Sequence, residues 1–228
     1  MTLAIDPTRE ALLQRLRAQA EAPARSRAER CLPVPDAFAK LLPDAGLKQG
    51  ATYCLGVAGS LLTALLSEPS QAGSWCGVVG MPEFGVEAAQ AAGIALDRLV
   101  LVPDPGDQWL AVTAALAEVL PVIAVRPGGR VREGDAARLT ARLRDRGGVL
   151  LVHGDWPRAE ARLQLAEPRW AGLGIGHGCL TSREVVATAT SKRFAGVRSV
   201  RLRLPDPQGR LALAAPVAPV PVRLKAAG

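Results

Sequence analysis

The chain has 228 residues, 49% of them hydrophobic and 21% charged, a length and balance that fit one globular domain with extensions and exclude a disordered or fibrous protein. No charged-then-apolar leader opens it and its apolar runs are too short for a membrane span, so a cytoplasmic protein without membrane attachment is expected. The net charge of +7 resides at one end: residues 192–228 carry Lys192, Arg193, Arg198, Arg201, Arg203, Arg210, Arg223 and Lys225 against Asp206 alone.

In chain order, Asp6-Pro7 reads as a helix cap and first helical position, and Leu12, Leu13 and Leu16 recur at helical spacing. A helix over 7–21 is predicted, with a linker over 22–32. Its short apolar stripe cannot hold a helix alone, so these three leucines are expected to dock on a partner or a second copy. From residue 50, short apolar runs at 52–56, 75–80, 99–102, 122–125 and 149–154 alternate with helical stretches near 59–67, 84–92, 107–118 and 134–146. Nearly continuous apolar strands separated by helices predict a mostly parallel sheet covered on both faces, hence an α/β fold. The runs 183–190 and 197–204 read as antiparallel strands at a sheet edge. In the second, Val200, Leu202 and Leu204 share one face, while Arg201 and Arg203 share an exposed face. The domain reading is an N-terminal helix and linker (1–32), a core (33–204) and a Pro/Ala-rich tail expected to be disordered (205–228).

Four cysteines, Cys31, Cys54, Cys76 and Cys179, show no paired spacing that would hold zinc or a disulfide framework, and Cys54 and Cys76 fall in predicted buried strands. Trp75, Trp109, Trp156 and Trp170 are expected to serve packing, with Trp156 and Trp170 the better candidates for exposure. "GLGIGHG" (172–178) follows no strand and opens no helix, so it reads as a loop. "QGRLAL" (208–213) only faintly resembles the peptides that dock on sliding clamps.

The stretch "GVAGSLLTAL" (56–65) sits between a strand and a helix, where a phosphate-binding loop would lie. That template needs a second glycine, a lysine and a hydroxyl after its first glycine. Laid from Gly56, it meets Leu61, Leu62 and Thr63, so only its ends comply. Small residues let backbone N–H groups approach phosphates and a lysine neutralises them; two leucines do neither.

The passages "LPVPDAFAKLLPDAGLKQGATYCLGVAGSLLTALL" and "VVGMPEFGVEAAQAAGIALDRLVLVPDPGDQWL" resemble RecA-like proteins. Within that group, residues 33–204 resemble the ImuA family, in its members without a P-loop. The resemblance implies a RecA-like three-layer fold with an antiparallel C-terminal edge. It also places the lost catalytic glutamate at Met81, with Glu83 nearby but expected to point elsewhere, and the lost magnesium-holding aspartate at Arg126. No catalytic residue, cofactor or metal is therefore expected. The implied function is a non-catalytic adaptor in damage-induced, error-prone translesion DNA synthesis. The implied partners are an ImuB-like Y-family polymerase homologue, an alpha-subunit-type error-prone polymerase and RecA, with DNA contacted indirectly or weakly. The alternatives are a DNA-binding or RecA-modulating module and a SulA-type cell-division inhibitor. The candidate partner surface is the basic edge carrying Arg198, Arg201 and Arg203.

Overall fold

The computed structural model describes residues 31–57, 59–173, 178–206 and 211–213. The expected helix over 7–21, with Leu12, Leu13 and Leu16, lies outside them, as does most of the Pro-rich tail. The elements in order are β1 (Cys31–Leu32), α1 (Asp36–Ala39), β2 (Leu47–Lys48), β3 (Thr52–Leu55), α2 (Ser60–Gln71), β4 (Cys76–Val79), α3 (Val86–Ala91), β5 (Leu99–Val102), α4 (Trp109–Leu116), β6 (Val122–Val125), α5 (Glu133–Arg146), β7 (Val149–His153), β8 (Ala161–Leu173), β9 (Gly178–Thr190), β10 (Arg198–Arg203) and β11 (Ala212–Leu213). β1 and β2 form a small antiparallel pair.

The other strands make one sheet in the order β11-β10-β9-β8-β3-β7-β6-β4-β5. From β8 to β5 every neighbouring pair is parallel, and from β8 to β11 every pair is antiparallel. The mostly parallel α/β sheet with an antiparallel C-terminal edge is thus present. Its central strands are buried along their whole length because helices cover both faces. Strand alternation divides the core in two. Tyr53, Leu55, Ala124 and Leu151 join the α2 leucines on one face; Cys54, Ile123, Val125 and Val152 join Leu139 and Leu143 of α5 on the other.

Local sequence accounts for the helices. In α5, Ala136, Leu139 and Leu143 recur at one face, acidic Glu133 and Asp135 stand in the first turn, and Arg144 and Arg146 stand in the last. Gly147 ends it in the left-handed conformation, φ 69°. α2 runs past its expected end at 67 because Pro69 lies in the last turn, where only one ladder bond is lost.

The largest departure from the expected elements is β8, which periodicity did not reveal, and β9, which starts at 178 and not at 183. Only Ala161–Leu163 of β8 pair with β3, and β10 covers β9 only from Glu184 to Ala189. Beyond these points the two strands project as a largely exposed ribbon, so little burial imposes alternation there. A register shift between Ala166 and Arg169, with Glu167 at φ 51° before Pro168, further blurs the pattern. The loop expected at 172–178 is narrower than read, since strand continues to Leu173 and resumes at Gly178; residues 174–177 lie outside the described ones. Nor does the fold stop at 204: Pro205 accepts a hydrogen bond from the Arg183 amide, and β11 pairs with β10.

Candidate functional site

The turn between β3 and α2 carries the stretch 56–65. Gly59 caps the helix with φ 57°, a conformation that favours glycine, and α2 begins at Ser60. Leu61 and Leu62 are fully buried among the core leucines of α2. The Thr63 hydroxyl donates back to the Ser60 carbonyl at 3.1 Å. The loop positions therefore serve packing, and the side chain at 62 points into the core and away from any phosphate. What remains is a cleft of about 170 Å³ between Ser60, Thr63, Met81, Phe84 and Pro205, smaller than the 300–1,000 Å³ usual for ligand pockets. Met81 is itself buried.

One cation does reach the start of α2, and sequence reading missed it. Arg183 of β9 donates through a terminal nitrogen to the Ser60 hydroxyl and through Nε to the Leu204 carbonyl at 2.9 Å. Its guanidinium also lies 5.3 Å from the ring of Trp170, its cross-strand neighbour. Partial burial makes this guanidinium somewhat less basic than a free one. The strand β9 was legible, but which of its residues meets α2 depends on sheet register.

Glu83, Arg126 and His153 form a second constellation at the carboxyl ends of β4, β6 and β7. Val125 pairs with Val152, so the next residues, Arg126 and His153, fall side by side. Arg126 Nε donates to His153 Nδ1 at 2.8 Å. Its terminal nitrogens hold both oxygens of Glu83, one at 2.9 Å. The expectation that Glu83 points elsewhere is corrected: the short turn after β4 brings it back over Arg126, and opposite charge holds it there. These bonds keep the Glu83 carboxyl below its ordinary range. Burial, then the Arg126 charge, keep His153 below its ordinary value of 6.5, so the imidazole is neutral with its proton on Nε2. The Arg126 charge is thus neutralised within the chain.

The basic edge is more engaged than its sequence implies. Arg203 pairs with Glu184 at 2.9 Å and Arg201 with Glu167 at 3.5 Å, while Arg198 donates to the Leu42 carbonyl and lies over Phe194. All three are half-buried, and β11 covers part of the outer edge of β10. The freely exposed arginine face is therefore corrected to an ion-paired one, because β8 and β9 present acidic residues across from it. Leu202 and Leu204 are buried as expected. Two tryptophans exchange roles. Trp156 is buried against the second core layer and Trp75 is exposed, while Trp170 is exposed as read. The Trp156 Nε1–H finds no acceptor among the described residues, a state that costs about 1–3 kcal/mol for a buried donor. Cys54 and Cys76 are buried as expected, and burial pushes the Cys76 thiol up to about 12. Among the described residues no three His, Cys, Asp or Glu side chains gather to hold a metal, and no helix is long and apolar enough to cross a membrane.

Fold and site together define an α/β protein with a large, mostly parallel sheet and, after β3, a strand–loop–helix turn whose loop side chains belong to the core. Residues 40–158 match the model of one family, the MT3502 N-terminal domain, and the chain belongs to that family. It is also 33% identical over 154 residues to the uncharacterized protein Rv3395c of Mycobacterium tuberculosis (strain ATCC 25618 / H37Rv), covering 67% of this chain and 72% of that one.

Proposed function

We propose that this protein is a non-catalytic adaptor of damage-induced, error-prone translesion DNA synthesis, built on a RecA-like scaffold whose nucleotide site has been given over to packing. The observation that carries the reading is the burial of Leu61 and Leu62 at the loop positions where phosphate chemistry needs a glycine and a lysine. The neutralised Arg126 supports it, since an arginine already bound to Glu83 and His153 has no site to offer a metal ion. The RecA-like scaffold is supported by the parallel sheet, the strand–loop–helix at β3 and α2, and the antiparallel extension beyond β8. The partners follow from the ImuA resemblance: an ImuB-like Y-family polymerase homologue, an alpha-subunit-type polymerase and RecA.

Two measurements test the reading. Calorimetric titration with Mg-ATP is expected to show no binding; micromolar affinity would overturn the loss of the nucleotide site. Affinity capture from DNA-damaged cells is expected to bring down the Y-family homologue. Recovery of cell-division proteins without any polymerase component would replace the adaptor by a division inhibitor.

A further inference from the structure

The loops that follow β6 and β7 border an open pocket of about 560 Å³, a volume inside the range of small-molecule sites. It lies outside the carboxyl ends of parallel strands, where open α/β sheets bind their ligands. It shares no residue with the cleft at α2.

Its lining is rich in donors and poor in free acceptors. His153 takes a hydrogen bond on Nδ1 from Arg126, so its remaining nitrogen carries the proton and can only donate. The Asp155 carboxylate is paired with Arg162, and the Arg126 charge with Glu83. Arg130 is exposed at the cavity and makes no ion pair with any described residue. Trp156 forms part of the wall, and its indole N–H is buried beneath the pocket surface. One unbalanced guanidinium beside the neutral His153 N–H suits a single negative charge and falls short of a polyphosphate. A guanidinium fork matches the planar carboxylate group. The rest of the wall, Pro127, Val131 and Pro157, is apolar.

We propose that this cavity binds a small carboxylic acid with an apolar body, its carboxylate held by Arg130 and the His153 N–H and its body against Trp156 and the flanking prolines. The proposal is independent of the adaptor reading, because it predicts ligand binding without any partner, in a pocket that shares no lining residue with the cleft at α2.

The test is nuclear magnetic resonance on the full-length, nitrogen-labelled protein, with the Trp156 indole signal assigned by a Trp156→Phe variant. Phenylacetate is expected to shift that signal saturably while leaving the exposed Trp75 and Trp170 signals in place. Neutral 2-phenylethanol, which keeps the ring and drops the charge, and the surface variant Arg130→Gln should each weaken binding roughly tenfold or more. No saturable shift up to roughly 10 mM phenylacetate, far above useful affinity, would overturn the proposal. So would an Arg130→Gln protein that binds phenylacetate as wild type does. A response to inorganic phosphate but not to phenylacetate would also overturn it, since the site would then be built for a different anion.

Discussion

Leu62 occupies the place where a phosphate-binding loop carries its lysine, and its side chain is fully buried. A lysine there would have to leave a charge in the core or force the start of α2 outward. Leu62→Lys is therefore expected to destabilise the protein by about 3–5 kcal/mol, the cost of an uncompensated buried charge, without creating affinity for Mg-ATP. Denaturant unfolding and nucleotide titration of the same variant check both halves. His153 gives a second prediction at this scale. Burial and Arg126 hold its folded value below 6.5, so the unfolded chain takes up the proton first as pH falls. The stability it contributes is complete above pH 6.5 and is lost as pH drops through the lower folded value. Arg126 and Glu83 face the ring directly, and Arg130 and Asp155 share its cavity. Glu83, held below its ordinary 4.5, adds its own loss only in a more acidic window. Unfolding free energies measured across pH 5–7 should slope upward in the wild type, and His153→Gln should flatten that slope.

Among the elements, the Arg183 side chain links β9 to the start of α2, and the paired strands β4 and β6 approach closely just past their ends, at Gly80 and Arg126. Arg183 hydrogen-bonds Ser60 and the Leu204 carbonyl from the middle of the antiparallel strands. Arg183→Met keeps the stem and removes the donors, and is expected to cost about 1–3 kcal/mol, read from the unfolding midpoint. Loss confined to faster amide exchange in β9 and β10, with α2 unchanged, would show that the contact does not couple the two elements. Gly80 follows β4 at φ 73°, and a Cβ there would lie 2.7 Å from the Arg126 carbonyl oxygen. Gly80→Ala is thus expected to cost about 1–3 kcal/mol and to displace Arg126 from His153. The His153 imidazole resonances should report that displacement directly.

For the whole molecule, the sheet ends at β5 on one side and at β11 on the other. β11 contributes two residues, Ala212 and Leu213, that pair with Arg203 and Leu202. An uncovered strand edge invites pairing with another chain. Truncation after residue 210 should therefore uncover part of β10 and make the protein self-associate with rising concentration. Sedimentation velocity checks this, and a truncated chain that sediments as wild type at every concentration would assign edge protection to the arginines of β10 alone.

The central strands were legible from sequence because a strand buried on both faces must be apolar throughout, as 122–125 and 149–152 are. The helix α5 was equally legible, since one buried face imposes a period on Ala136, Leu139 and Leu143. The failure of "GVAGSLLTAL" to match a phosphate loop also needed only residue types. The β8–β9 ribbon left little trace, because its wide exposure removes most of the pattern that burial would impose. The pairing of Arg126 with His153 and Glu83, the reach of Arg183 to Ser60, and the engagement of Arg201 and Arg203 by acidic partners were decided by strand order and register. Those properties join residues far apart in the chain, through hydrogen bonds between strands whose neighbours no local pattern names.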